Sequence, residues 1–95
     1  MKYQRRNEPP IEAISVEELL DLTEQEQMPL WVAEAASKGR LRLMRSHVEI
    51  VGGSFAATAM RTDMLCFDEN QPEGNQIFYL SAVQFRRFTP VESTS

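Results

Sequence analysis

Leu41-Arg42-Leu43-Met44-Arg45-Ser46-His47-Val48-Glu49-Ile50 is the stretch on which the reading of the fold turns. Leu41 and Leu43 alternate with Arg40, Arg42 and Arg45, and Val48 and Ile50 alternate with His47 and Glu49. A period of two puts one set on each side of a pleated strand, so both runs read as half-buried strands. Gly52-Gly53 follows with the chemistry of a two-residue hairpin turn that needs positive φ, and Ser54 to Ala59 is expected to pair back from it.

Upstream the period is helical. Ser15-Val16-Glu17-Glu18 is a capping-box pattern, and Val16, Leu19, Leu20 and Leu22 give the helix that starts there one apolar face. The pattern fades at Gln25-Glu26-Gln27. Pro29 opens a second, Ala-rich helix that Gly39 ends, so the two are expected to form a helical hairpin. Before them Ile11 to Ile14, led in by Pro9-Pro10, reads as a short strand at or near an edge. Downstream, Met64 to Phe67 and Gln76 to Leu80 are apolar runs separated by the turn-rich Asp68-Glu69-Asn70-Gln71-Pro72-Glu73-Gly74-Asn75, a second hairpin with a polar tip. Phe85, Phe88 and Val91 close the unit. The expected fold is α+β: an N-terminal strand, a two-helix hairpin, then a twisted antiparallel sheet or small open barrel. One domain covers 1–95, with 1–9 and 92–95 loosely ordered.

Size and composition agree with that reading. The 95 residues are 42% hydrophobic and 25% charged, enough for one core and too few for two. A core of this size leaves roughly a few kcal/mol of net stability, which oligomerisation often supplements, so a homodimer is expected. The start lacks the apolar run of a signal peptide, and no stretch approaches the ~20 apolar residues of a membrane-spanning helix. The single cysteine, Cys66, lies in an apolar strand and has no intrachain partner, which points to a reducing cytoplasm. The net charge of −4 argues against nucleic acid as a partner. Glu12, Glu17, Glu18, Asp21, Glu24 and Glu26 make the first half acidic, whereas Arg40, Arg42 and Arg45, and later Arg86 and Arg87, are basic. Such runs are ordinarily solvated faces; as function they would be a nucleic-acid mimic and an anion- or partner-binding patch.

Catalytic signatures are sparse. One histidine and one cysteine cannot make a structural zinc cluster, and four glycines give neither a dinucleotide fingerprint nor a phosphate loop, so no metal or cofactor is expected. His47 with Glu49 two residues on shares a strand face and forms an acid-base candidate, against the simpler reading of a solvated pair. Asp63 in Arg61-Thr62-Asp63 is a turn cap by default and a ligand contact in the alternative. Ser54 lacks a nucleophile elbow and reads as hairpin. Trp31 with Met28 and Leu30 is a core residue or else a partner anchor. Phe55, Phe67, Phe78, Phe85 and Phe88 read as packing. Asp68, Glu69, Asn70, Glu73 and Asn75 in the hairpin tip are the residues best placed for specificity, because a loop carries side chains without burdening the core.

Met1-Lys2-Tyr3-Gln4-Arg5-Arg6 with Pro9 and Ile11-Glu12-Ala13-Ile14 resembles the start of small phage and prophage proteins that read Met-Lys-Tyr-Arg-Lys-Lys-Pro and then Ile-Glu-Ala. Trp31-Val32 to Lys38-Gly39 is similar to their Trp-Val-x-Glu-Ala-x-x-x-Gly segment, and Asp63 falls where they carry Gly-Asp-Tyr or Gly-Asp-Trp. Ile77-Phe78-Tyr79 through Phe85, Phe88, Pro90 and Val91 resembles their closing segment. Thr62 replaces their Gly, and no Pro follows Tyr79. The resemblance implies a phage-type accessory protein and no particular reaction. The leading expectation is therefore a non-enzymatic protein that binds a host protein, such as an inhibitor of a defence or regulatory system. A virion or assembly component is the alternative. A third is a small-molecule binder or minimal enzyme using His47, Arg42 or Asp63 between protomers.

Overall fold

The computed structural model describes residues 2–5, 8–22, 28–52 and 56–91. Its strands are β1 (Lys2–Gln4), β2 (Ile11–Ser15), β3 (Leu41–Leu43), β4 (His47–Val51), β5 (Ala56–Met60), β6 (Met64–Phe67), β7 (Ile77–Leu80) and β8 (Thr89–Pro90). The α-helices are α1 (Val16–Leu20), α2 (Leu30–Ser37) and α3 (Ala82–Phe85), and a 3-10 turn spans Glu73–Asn75. No helix among the described residues is long and apolar enough to cross a membrane.

Local chemistry sets the helix ends. The Ser15 hydroxyl accepts from the Glu18 amide at 3.0 Å, which starts α1 where the sequence placed it. Gly39 takes φ +76°, and the Gly39 and Arg40 amides bond back to the Ala36 and Ala35 carbonyls at 3.2 and 2.9 Å. That is a Schellman closure, so α2 stops where the glycine allows the backbone to turn left-handed. A fully reciprocal capping box forms at α3, which the sequence reading passed over: Ser81 Oγ accepts from the Gln84 amide, and Gln84 Oε1 accepts from the Ser81 amide.

The strands divide into two antiparallel sheets, five-stranded in the order β7-β6-β2-β1-β8 and three-stranded in the order β3-β4-β5. This corrects the single sheet or small open barrel expected from the sequence. The division falls at Arg61-Thr62-Asp63. There the Asp63 carbonyl accepts from the Val16 amide at 3.0 Å, tying the turn to the start of α1. The chain then enters the other sheet, where β6 pairs with β2 (Ala13 with Cys66, Ile14 with Leu65). Lys2–Gln4 forms β1 against β2 and β8, although loose order was expected for 1–9. The proposed Gly52-Gly53 turn runs into residues 53–55, which, with Ser54 and Phe55, lie outside the described residues, as do the fade at 25–27, Glu24, Glu26 and the 92–95 tail. The hairpin itself forms, but its register, Val51 opposite Ala56 through His47 opposite Met60, is not the one a two-residue Gly52-Gly53 turn would give, because four residues separate Val51 from Ala56.

Both faces of the five-stranded sheet are covered. On one face Leu65 and Ile77 join Val16, Leu19, Val32, Ala35, Leu41, Val48, Ile50 and Ala59 in the main core, under α1, α2 and the three-stranded sheet. On the other, Ile11, Ala13 and Cys66 pack with Tyr3, Phe78 and Leu80 of the same sheet and with Phe85 and Phe88 from α3 and the turn after it. Leu65 and Cys66, adjacent on β6, are therefore both fully buried on opposite sides. Trp31 packs too: its ring stacks on Phe67 at 5.4 Å.

Candidate functional site

A large concavity opens on the outer face of the five-stranded sheet, beside the smaller core. Ile11 from β2 and Phe78 and Leu80 from β7 line its floor. One wall is α3 and the turn after it, which bring Val83, Gln84, Arg87 and Phe88. Arg5, Glu8 and Pro9 of the β1–β2 connection and Asp68, Asn70 and Gln71 from the β6–β7 loop complete the lining. Its volume is about 670 Å³, within the range of ligand-binding clefts.

An aromatic stack fixes the α3 wall. Phe85 meets Tyr3 edge-on at 4.7 Å and stacks on Phe88 at 5.4 Å, so strand β1 and the segment after α3 hold each other. Arg5 bonds Glu8 at 2.6 Å, and its guanidinium stands 5.8 Å over the Phe88 ring. The hydrogen bond and charge of Glu8 raise the Arg5 pKa further above its ordinary value. Asp68 is spent on shaping its loop: its carboxylate accepts from the Asn70 amide at 3.0 Å and Gln71 Nε2 at 3.4 Å. Arg87 makes no ion pair among the described residues, and Val83 is 70% exposed, so the rim offers an unneutralised cation beside an open aliphatic side chain. Below the floor, burial pushes the Cys66 thiol up to about 12, which keeps it protonated.

The residues singled out from the sequence fall in several places. Asp68 and Asn70 line the groove. Glu69 lines a smaller hollow with Trp31 and Lys2, and the Asn75 amide bonds Pro72 in the 3-10 turn that also holds the Glu73 backbone. The three arginines do not line the groove. Arg40 sits by Gly74 and Ile77, Arg42 lies 3.8 Å from Glu49, and Arg45 stands in the β3–β4 turn. His47 Nε2 is 3.6 Å from Glu49 and its Nδ1 is 3.2 Å from Ser46 Oγ, on the outer side of the three-stranded sheet. Asp63 is a turn cap in fact: its carboxylate accepts the Met60 amide at 2.9 Å and its own amide bonds the Met60 carbonyl. Arg61, not singled out, ties the same corner by bonding Asp21 and the Arg45 carbonyl, each at 3.1 Å.

Arg5, Val83 and Phe88 escaped sequence reasoning as site residues because they come from opposite ends of the chain. The Arg5/Glu8 spacing and the Ser81-to-Gln84 cap were the available signals. Comparison of the chain with protein-family models, with curated proteins and with solved structures finds no match in any of the three.

Proposed function

We propose that this is a phage-type accessory protein that works by binding a host protein and not by catalysis, and that the groove takes an apolar segment of that partner bearing a nearby carboxylate. The observation that carries this reading is the groove itself: an apolar floor of Ile11, Phe78 and Leu80, open to solvent, with Arg87, which has no ion pair among the described residues, at its rim. Aliphatic and aromatic side chains gain by leaving water on such a floor, and a partner acid beside Arg87 fixes orientation. The sequence resemblance supplies the phage setting.

The test is parallel capture from bacterial lysate with wild-type protein, Val83→Glu, Arg87→Glu and the off-groove control His47→Ala, each read by native mass spectrometry. A host protein held stoichiometrically by wild type and the control, and lost at least tenfold by both groove variants, supports the reading. Equal capture by the groove variants, or no stoichiometric partner, overturns it. A second reading, a small-molecule carrier, is favoured by the volume of about 670 Å³. Its sign is a retained mass of a few hundred daltons in wild type that Arg87→Glu releases.

A further inference from the structure

Each free sheet edge must satisfy or hide its backbone groups, and the edges of this protein differ in how they do so. β8 is two residues long and ends in Pro90, which has no amide hydrogen to offer. β3 is three residues with Arg42 at its centre, and its Leu41 is buried. On β7 the Asp68 amide bonds the Gln76 carbonyl, so by alternation Ile77 and Tyr79 face the free edge, and Ile77 is buried. β5 carries none of these protections. Its sequence, Ala56-Ala57-Thr58-Ala59-Met60, has no charge and no proline.

The direction of its free groups can be worked out. The Met44 amide bonds the His47 carbonyl and the Val51 amide bonds the Arg40 carbonyl, so His47, Glu49 and Val51 direct their backbone groups toward β3. Their partners across β4–β5, namely Met60, Thr58 and Ala56, therefore point away from β4. At Met60 the outward amide and carbonyl are both taken by Asp63, through its carboxylate and its amide. At Ala56 and Thr58 neither group meets a partner among the described residues, and both residues are exposed.

We infer that β5 is a self-pairing edge, which joins a second copy of this chain antiparallel about a two-fold axis at Ala57. In that register Ala56 exchanges both backbone bonds with the partner's Thr58, and Thr58 does so with the partner's Ala56, so every free group of the edge is satisfied reciprocally. The two Ala57 residues meet as a non-hydrogen-bonded pair, the closer kind, with Cα atoms about 4.5 Å apart, and a methyl side chain suits that approach. No charged side chain stands on either strand to oppose it. Asp63 closes the strand at Met60 and so limits the length of the pairing, and because the two-fold axis uses the same edge of both copies the contact closes as a dimer and leaves no edge for a growing filament. A foreign strand would use the same bonds, but Ala56 and Thr58, spaced by one and without backbone partners among the described residues, form a pattern that a copy of itself completes in a single register.

Sedimentation and light scattering of the purified protein across a concentration series test this, together with Ala57→Cys under mild oxidation. The expected results are a species of twice the chain mass that accumulates with concentration, and a covalent dimer through position 57, with buried Cys66 taking no part. Ala56→Lys with Thr58→Lys places like charges opposite one another across the axis and should leave a folded monomer. Ala56→Glu with Thr58→Lys should restore the dimer, with folding checked for each by far-UV circular dichroism. A wild-type protein that stays monomeric throughout, or a dimer that the double-lysine variant leaves unchanged, overturns the inference.

Discussion

Cys66 carries a pH signature at the scale of one residue. Its thiol titrates near 9 when exposed and is pushed up to about 12 in the fold. The unfolded chain therefore loses that proton first, and stability falls as pH rises between those values, being fully present below the lower one. Denaturant titrations of wild type and Cys66→Ala at a series of alkaline pH values should show a steeper loss in wild type; parallel curves would mean the thiol is accessible. Single residues were also where the sequence was most readable. Ser15 and Gly39 do what their chemistry dictates because their partners lie within a turn of chain, and Asp63 is a cap for the same reason. Arg61 was illegible: its partners, Asp21 and the Arg45 carbonyl, lie far off along the chain, and nothing local marks that choice.

Among the elements, α2 depends on its exit. Gly39 has open space where a Cβ would go, so Gly39→Ala meets no clash and its cost is the left-handed backbone alone. About 1 kcal/mol is expected, a fall in melting temperature of roughly 4–8 °C for a domain of this size, read in a thermal melt. A change under 1 °C would show that the closure contributes little. The meander of β3, β4 and β5 was legible because each strand pairs with its neighbour in sequence and alternation alone sets the buried face. The five-stranded sheet was not, since Ile14 finds Leu65 and Tyr3 finds Pro90, and no local pattern encodes such pairings. α3 was missed because a helix of four residues is too short to display a period. The same distance hid the groove, whose walls come from the first ten residues, the β6–β7 loop and the segment after β7.

For the whole molecule, the central sheet has a large core on one face and a small one on the other, and the small one hangs on Phe85. Phe85→Ala removes a half-buried ring together with its contacts to Tyr3 and Phe88, so a loss of about 2 kcal/mol is expected in urea denaturation. Labelling of Cys66 by a thiol reagent should quicken in the same variant, because the cover over Ile11, Ala13 and Cys66 loosens while the other core stays shut. Unchanged labelling would place the cover elsewhere. Pairing of β1 with both β2 and β8 has a further consequence, which concerns time. The three-stranded meander needs only nearby segments and can form early, whereas the five-stranded sheet must bring Lys2 alongside Val91, whose amide bonds the Lys2 carbonyl at 2.9 Å. On a growing chain the groove cannot exist until the segment through Phe88 has emerged from the ribosome, so a partner meets the site only after both its walls have been made.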